Sequence, residues 1–502
     1  MIDEQQHTWQ RTALLALIGS IPFLILVAWH WRLGPLAIFG DWAQYMLHAE
    51  ALRHGRAYGD IGYIFTRRNP FIGPQLQPPG LPMVLVPLLA ITHDARDAVI
   101  YRVFTVSCVL AFLTAVAFYL ARYGSRPLAI ATLLIVGLGV ETTFTTNTVL
   151  ADPGFVALVW GMFCLVDKPG EWRWTRVVGV TVLGFAALSF RLAGLPIVPA
   201  LALYAILHRR ELGVRPFVPV IVWCAAGLAA AAAAPGALTF ARLVPRDPSV
   251  LVRTVIEALK EYPFAALDLF LYPFAANHAN DVYHAVIAVL TVVGAVVWLP
   301  RMWSRFSVVF AACYVGMLLV LPFQDRRYLL PLVPLAIYSA AVGITTAVGG
   351  LARLTRRAMS PARTQLIAVG IVAVIVALTI ARELARPLPL AMMDAPGIRP
   401  LFARLRAARD TATVRAVFVN PRVLTWETGV PAMGFFNAPP DTTLAEFRAR
   451  RITHVVVGDL DIDGRRARSI AAAVAARPSA FRRLYSEGPF TVYAFDSTRA
   501  LP

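Results

Sequence analysis

The most informative stretch of the sequence is Gly40-Asp41-Trp42-Ala43-Gln44-Tyr45, which lies just beyond the first long hydrophobic segment, Ala13 to Trp29. A carboxylate beside a membrane face is costly unless it has a partner or a function. Asp41 is therefore the first candidate for chemistry. Its role depends on which groups share its side of the membrane.

The composition indicates a multi-pass membrane protein. The 502 residues are 58% hydrophobic with a mean hydropathy of +0.63, and repeated apolar runs of about 20 residues are typical of membrane helices. No small-residue cleavage site follows Trp29, so we expect an uncleaved first helix rather than a signal peptide. The net charge of +18 is explained by short basic loops and anionic membrane lipids, so no nucleic-acid partner is expected. The four cysteines lie in hydrophobic segments without metal-ligand spacing and are predicted core residues.

Twelve apolar segments follow one another along the chain. They are 13–30, 81–92, 98–121, 127–146, 153–167, 176–190, 193–208, 216–238, 281–300, 306–323, 327–349 and 365–384. The second is short and holds Pro82 and Pro87, which is typical of a re-entrant or interfacial element. With the N-terminus in the cytoplasm and 81–92 left out, the basic loops face inward, as the positive-inside rule requires. The sequence thus predicts about eleven spans in the cell inner (plasma) membrane and an extracytoplasmic C-terminus.

Three extracytoplasmic regions follow from this topology. The first is the loop at about 33–99. The second, about 239–280, contains Leu251–Tyr262, which could lie as an amphipathic helix on the membrane. The third is the tail, in which strand-like runs alternate with helical ones, and this alternation predicts a small α/β domain. The predicted domains are therefore 1–385, which is mainly α and transmembrane, and 386–502.

Two acidic residues are predicted near the outer face. Asp41 lies in the first loop, and Asp152 lies in Ala151-Asp152-Pro153 at the start of an inward span. An aspartate followed by proline is also a favoured helix start, so a capping role for Asp152 stays open and is compatible with a role in the site.

Several arginines are predicted on the same side. They are Arg67 and Arg68 in the first loop, Arg191 between two spans, and Arg326 and Arg327 before Tyr328. An arginine between apolar segments needs an anion or a carboxylate partner, and a phosphate suits the guanidinium fork. Snorkelling to the lipid headgroups is the alternative for Arg191 and Arg327.

A carboxylate pair with several arginines indicates group transfer from a phosphate-bearing lipid. An aspartate can accept the proton of an acceptor hydroxyl, and arginines can stabilise the departing phosphate. Fingerprints of soluble hydrolases, zinc proteases and nucleotide-binding folds are absent from the sequence.

At these residues the chain resembles the C-type (GT-C) integral-membrane glycosyltransferases, especially the protein O-mannosyltransferases and the lipid A aminoarabinose transferases. The matching stretches are Asp41-Trp42-Ala43-Gln44-Tyr45, Gln77-Pro78-Pro79-Gly80-Leu81-Pro82, Ala151-Asp152-Pro153, Ser189-Phe190-Arg191-Leu192-Ala193-Gly194 and Arg327-Tyr328-Leu329-Leu330-Pro331-Leu332-Val333-Pro334. The resemblance covers roughly 10–350. This chain departs from each subgroup at one position. Residue 42 is Trp where the mannosyltransferases have Glu, and residue 77 is Gln where the aminoarabinose transferases have Lys.

The resemblance implies a polyprenyl-phosphate-linked sugar as donor and inversion at the sugar carbon. Asp41 would be the base and Asp152 an orienting or acceptor-side residue. Arg191, Arg327, Arg326, Arg67 and Arg68 would contact the donor phosphate, and Tyr45, Gln77 and Tyr328 would line the pocket. The acceptor could be a glycolipid, a polysaccharide or a protein.

Two other functions compete with glycosyl transfer. A transporter or flippase of a lipid-linked sugar would be expected to show paired halves with broken helices, which the sequence lacks. A membrane scaffold would leave Asp41 and the arginines unexplained. No cofactor is expected, and a divalent metal is the less favoured option, since His278 and His284 alone make a poor metal site.

Overall fold

A computed structural model of the protein describes residues 2–32, 40–66, 77–92, 98–139, 142, 148–233, 245, 247–267, 270–274, 277–321, 324–355, 359–385, 393, 395–458 and 465–499. The chain is mainly helical with one small sheet, as predicted. The helices are α1 (Ile2–Arg32), α2 (Gly40–Arg53), α3 (Gly80–Ile91), α4 (Ala98–Tyr123), α5 (Arg126–Leu138), α6 (Asp152–Val166), α7 (Trp174–Phe190), α8 (Ile197–Leu207), α9 (Arg209–Leu212), α10 (Phe217–Ala233), α11 (Pro248–Leu267), α12 (Asn277–Trp298), α13 (Phe306–Val320), α14 (Val333–Leu354), α15 (Pro361–Ala385), α16 (Ile398–Thr411), α17 (Pro421–Thr428), α18 (Pro440–Ala449) and α19 (Arg465–Ala476).

Every predicted apolar segment contains a helix. Among the described residues, five helical stretches are long and apolar enough to cross a membrane, and they are Gln10–Trp31, Val99–Tyr123, Asn277–Arg301, Val333–Leu354 and Pro361–Ala385. The other apolar helices have 10–17 residues, so the predicted number of eleven spans stays a prediction. Helix α3 has 12 residues and is about 18 Å long, which is shorter than the hydrocarbon core of a bilayer. The predicted amphipathic stretch Leu251–Tyr262 lies within helix α11.

The chain forms two compact units. The helical unit comprises 1–34 and 101–387, and the mixed unit comprises 35–100 and 388–502. The predicted domains 1–385 and 386–502 therefore differ from the compact units in one segment, the first loop. Chain order favours grouping that loop with its flanking helices, whereas its contacts group it with the tail.

The helical unit is held by close helix crossings and an aromatic core. Gly294 of α12 and Gly343 of α14 face each other's helix so closely that an added Cβ at either would meet a backbone carbonyl, Ser339 O or Leu290 O. Small residues at such crossings let helices approach without a hydrophobic driving force. Trp160 of α6 is fully buried, and its indole N–H donates to Pro331 O at 3.1 Å.

The mixed unit is built on a five-stranded sheet in the order β2-β1-β3-β5-β4. The strands are β1 (Ala416–Val417), β2 (Ala432–Met433), β3 (His454–Val457), β4 (Phe481–Glu487) and β5 (Phe490–Phe495). Strand β1 runs parallel to β2 and β3, while β5 runs antiparallel to β3 and β4. The predicted α/β character of the tail is confirmed by this sheet and by helices α16 to α19.

The first loop extends this sheet. Tyr63 forms a parallel bridge with Ala432 of β2, in which Ile64 N donates to Ala432 O at 2.8 Å and Ala432 N donates to Gly62 O at 3.2 Å. Ile64 is also buried in the apolar cluster formed by the tail. These contacts explain why the first loop belongs to the mixed unit, and they position Asp41 against the tail.

Candidate active site

Asp41 lies in the first turn of α2, where a carboxylate is favoured by the helix dipole. Its Oδ1 accepts a hydrogen bond from Nη1 of Arg422 at 2.7 Å, and the two groups form an ion pair. Arg422 stands in the first turn of α17, whose Pro421 favours helix initiation. The exposed fraction of the Asp41 side chain is 28% and that of Arg422 is 16%. The carboxylate is thus held in one orientation and still reached by solvent.

A series of hydrogen bonds holds the Arg422 side chain in place. The same Nη1 donates to Gln44 Oε1 at 2.9 Å. The amide Nε2 of Gln44 lies 3.4 Å from Nε2 of His48, and Nδ1 of His48 lies 2.8 Å from Tyr58 O. Because a carbonyl only accepts, His48 carries its proton on Nδ1 and accepts from Gln44 on Nε2. This arrangement turns the Gln44 oxygen toward Arg422.

Burial keeps His48 neutral. Its side chain is fully buried and stacks on the Tyr58 ring at a centroid distance of 4.1 Å. Loss of solvation lowers the pKa of His48 to about 4, although the bond to Tyr58 O opposes the shift. Tyr58 in turn donates its hydroxyl to Gln77 O at 2.8 Å. The predicted pocket residue Gln77 is therefore joined to the Asp41 helix through its backbone.

The space around the guanidinium of Arg422 explains the glycine before Asp41. A Cβ added to Gly40 would lie 2.6 Å from Nη2 of Arg422, so a larger residue would displace the arginine. The predicted pocket residue Tyr45 and its neighbour Trp42 are buried on the same helix. The Asp41 carboxylate therefore lies on a helix that is anchored by buried side chains.

A second group of predicted residues lies in the helical unit. Arg191 follows the last residue of α7 in an extended conformation and forms an ion pair with Asp152 of α6. The exposed fraction of the Asp152 side chain is 3%. The guanidinium also lies over the Tyr328 ring, 5.1 Å from its centroid. Of the two partners left open by the sequence, an anion or a carboxylate, the structure provides a carboxylate.

The capping role considered for Asp152 is not observed. The residue before α6 is Ala151, which makes no capping side-chain bond, and Asp152 lies within the first turn of the helix. The Asp152 side chain is directed to Arg191 instead, because a buried guanidinium gains more from a carboxylate than a helix end does.

Arg327 has its own carboxylate partner. Asp325 accepts from the backbone N of Arg327 at 2.9 Å, from its Nε at 2.9 Å and from its Nη2 at 2.8 Å. Burial would raise the pKa of Asp325, but the bonds and charge of Arg327, with a smaller contribution from Arg191, hold it below its usual range. Arg326 is exposed on the same turn, Arg326–Leu329.

Three buried polar atoms near this group have no hydrogen-bond partner among the residues that the structure describes. They are Asp152 Oδ2, Tyr262 Oη and Tyr314 Oη. Tyr314 is fully buried and interacts electrostatically with Arg191, Tyr328 and Asp152. Buried polar atoms are normally satisfied, so these three mark a place where a polar group of a ligand or water can bind.

The predicted site residues thus fall into two groups. Asp41, Tyr45 and Gln77 lie in the mixed unit, and Asp152, Arg191, Arg326, Arg327 and Tyr328 lie in the helical unit. Arg67 and Arg68 lie outside the described residues. Within the described ranges, three or more His, Cys, Asp or Glu side chains are nowhere grouped as for a metal ion. His284 lies 3.3 Å from Leu271 O through its Nε2.

Comparisons with known proteins identify the fold. The sequence matches no protein-family model and no curated protein. The structure is similar to ArnT from Cupriavidus metallidurans bound to undecaprenyl phosphate, with a TM-score of 0.51, 12% identity, and coverage of 98% of this chain and 99% of that one. The chain has the GT-C fold. It is also similar to the oligosaccharyltransferase AglB from Archaeoglobus fulgidus in complex with an inhibitory peptide and a dolichol-phosphate, with a TM-score of 0.56, 12% identity, and coverage of 99% of this chain and 75% of that one.

The GT-C fold confirms the resemblance found in the sequence and accounts for the apolar helices of a membrane-embedded protein. At 12% identity the likeness concerns the fold alone. The residues that the sequence analysis missed are Arg422, Gln44 and His48. The sequence does suggest the contact between Gln44 and His48, because residues four positions apart share one face of a helix. No such signal marks Arg422, since it is one of many arginines in the tail.

Proposed function

We propose that the protein is a glycosyltransferase that moves a sugar from a polyprenyl-phosphate donor to an acceptor hydroxyl on the extracytoplasmic face. The observation that carries this proposal is the partly exposed Asp41 carboxylate, held by Arg422 at the start of α2 in a GT-C fold. The relatives support the lipid class, because ArnT was solved with undecaprenyl phosphate and AglB with a dolichol-phosphate.

Asp41 acts as the general base in this proposal. The acceptor oxygen attacks the anomeric carbon, its proton passes to Asp41, and the bond from that carbon to the phosphate oxygen breaks. The electron pair leaves with the lipid phosphate, which is stable as an anion and needs no proton. A single displacement inverts the sugar carbon. Arg422 is a positioning residue, because a base must be held within hydrogen-bond reach of the proton that it takes.

The helical unit would bind the donor phosphate. Arg191, Arg326 and Arg327 with Asp152 and Asp325 leave one net positive charge. The partnerless Tyr262 and Tyr314 hydroxyls could donate to phosphate oxygens, and Asp152 would keep Arg191 oriented. Arg67 and Arg68 remain further candidates for this contact. The basic loops support an inner-membrane location with a cytoplasmic N-terminus.

The test is transfer of labelled sugar by the purified protein in lipid vesicles, with a panel of polyprenyl-phosphate sugars and a membrane-derived acceptor mixture. Asp41→Asn should lower the rate about 10³-fold and leave the melting temperature unchanged. The matched control is Asp410→Asn, an exposed carboxylate of the same unit, which should transfer like the wild type.

Equal rates of sugar transfer by the wild type and Asp41→Asn would show that Asp41 is not the general base. Binding or translocation of a lipid-linked sugar without transfer to any acceptor would favour the transporter alternative.

A further inference from the structure

A groove of about 570 Å³ crosses the mixed unit where the first loop joins the tail. One wall includes Asp60, Tyr63 and Phe65 of the first loop, and the other includes Arg415, Arg450 and Arg451 of the tail. The volume lies within the range of small-ligand sites, about 300–1,000 Å³. None of these groups is used in the proposed transfer step.

The groove has an excess of positive charge. The Nε atom of Arg450 is paired with Glu446 at 2.9 Å. Arg415 donates from Nε to Arg450 O at 2.9 Å, and a carbonyl leaves its charge unbalanced. Arg451 is exposed, and its guanidinium has no bond or ion pair within the described ranges. Asp60 is the one carboxylate among the described lining residues, so the groove suits an anionic ligand.

One residue of the groove wall carries a buried hydroxyl. Tyr63 has an exposed fraction of 7%, and its Oη has no hydrogen-bond partner among the described residues. Leaving a buried hydroxyl unsatisfied costs about 1–3 kcal/mol, so a bound water is expected to complete it. Burial raises the pKa of Tyr63 to about 12, and the positive charge of Arg422 opposes this shift. The groove also adjoins the helix that carries Arg422, because a Cβ added to Gly62 in its wall would lie 2.8 Å from Cγ2 of Thr425 in α17.

The backbone beside the groove is already used. Ile64 N and Gly62 O are paired with Ala432, so an incoming peptide cannot add a strand through these groups. A ligand must instead be recognised by side chains, and those available are arginine forks and two aromatic rings, of which Phe65 is 37% exposed. Aromatic rings pack on the apolar C–H faces of sugar rings, and arginine forks bind carboxylates and phosphates.

We propose that this groove binds an anionic saccharide, a sugar chain bearing carboxylate or phosphate groups. Its identification as the acceptor rests on the proposed glycosyltransferase function, and the contact between Gly62 of the groove wall and α17, the helix that carries Arg422, supports it. Binding of the saccharide does not depend on transfer, so the two proposals can fail separately.

The test is isothermal titration calorimetry on the full-length protein in detergent. The probes are tetragalacturonate, a phosphorylated maltotetraose, neutral maltotetraose and a tetraglutamate peptide. At least one anionic saccharide should bind 10-fold or more tighter than the neutral one and the peptide, and more weakly as salt is added. The two anionic probes show which group is preferred.

Matched variants locate the site. Arg451→Gln removes an exposed groove charge and should weaken binding 5- to 10-fold. Arg482→Gln removes an exposed charge on β4, at the opposite edge of the sheet, and should leave the affinity unchanged. The inference is overturned if no anionic saccharide binds, if the neutral sugar or the peptide binds equally well, or if Arg451→Gln binds like the wild type.

The Asp41→Asn variant separates this inference from the proposed function. It should bind the saccharide with wild-type affinity while transfer is lost. If the wild-type protein binds the saccharide but transfers no sugar, the groove is a saccharide site and the saccharide is not an acceptor. If the Arg451→Gln variant transfers sugar and binds the saccharide as the wild type does, the transferase proposal stands and the proposed saccharide site in the groove is wrong.

Discussion

Asp41 and Asp152 look alike in sequence but differ in their surroundings. Each lies in the first turn of a helix, and each pairs with an arginine from another element. The exposed fraction of the side chain is 28% for Asp41 and 3% for Asp152. A base must reach a proton on an incoming substrate, whereas a buried carboxylate can orient a neighbouring cation. The comparison therefore supports the proposal that Asp41 takes the proton and that Asp152 orients Arg191.

A third carboxylate sharpens this contrast. Asp167, at the opposite end of α6, accepts from the backbone N–H of Phe306 and Ser307 at 2.7 and 3.2 Å and from the Tyr119 hydroxyl at 2.9 Å. Both of its oxygens are bonded, as expected of a structural carboxylate. Asp152 Oδ2, at the other end of the same helix, has no partner within the described ranges.

The largest expected effect on stability is at Asp152. Asp152→Ala leaves the guanidinium of Arg191 buried without its carboxylate and should lower the free energy of unfolding by about 3–5 kcal/mol. Asp41→Ala, at a more exposed pair, should lower it by about 1 kcal/mol. Chemical unfolding in detergent measures both. Equal losses would contradict the division of roles, and the double variant Asp152→Ala/Arg191→Met should recover much of the stability.

Acid should loosen the Asp41 region through His48. The pKa of His48 is about 4 in the folded protein against 6.5 unperturbed, so the unfolded chain binds more protons between these values. Stability from neutral His48 is complete above pH 6.5 and falls as the pH drops toward 4, by at most about 3 kcal/mol. Melting temperatures from pH 7 to pH 4.5 test this prediction.

The control for the acid effect lies on the same stretch of chain. His48→Asn keeps a donor for Tyr58 O and should reduce the acid sensitivity. His54→Asn, at an exposed histidine paired with Glu50, should retain it. An unchanged slope in His48→Asn would show that another group causes the acid effect, and the half-buried His454, whose pKa is lowered by burial, is the next candidate.

Arg422 should affect the rate more than acceptor binding. Arg422→Gln keeps a donor near Asp41 but removes the charge, and should lower kcat about 10- to 100-fold with little change in acceptor KM. Because the carboxylate loses a positive neighbour, the acid limb of the pH–rate profile should move to higher pH. A purely structural arginine would leave that limb in place. Arg404→Gln, at an exposed pair with Glu487, is the matched control.

The smallest expected effect is at Gly40. A Cβ there would crowd Nη2 of Arg422, and the flexible arginine should yield, so Gly40→Ala should lower transfer 3- to 5-fold. Gly316→Ala, where an added Cβ meets no atom within 4 Å, should leave transfer unchanged. In the Arg422→Gln background Gly40→Ala should cost less, since contacting residues are not additive. A full loss in that background would show that Gly40 acts independently of Arg422.

The apolar helices and the α/β character of the tail could be predicted from the sequence alone, which also singled out Asp41 as a candidate. Segment length, hydropathy and strand-like alternation act over neighbouring residues, so these features can be read along the chain. Strand β3 is found at His454–Val457 as predicted. Strand β2 has only two residues, which is too short to show a period.

The partner of each candidate residue could be identified only from the three-dimensional structure. Asp41 and Arg422 are 381 positions apart, and no local pattern singles out one arginine of a basic tail. The first loop joins the tail through one parallel bridge at Tyr63, a contact that leaves no periodic signal. The different exposures of Asp41 and Asp152 also arise from packing between distant segments. The residue types give the chemistry that is available, and long-range packing selects which groups can perform it.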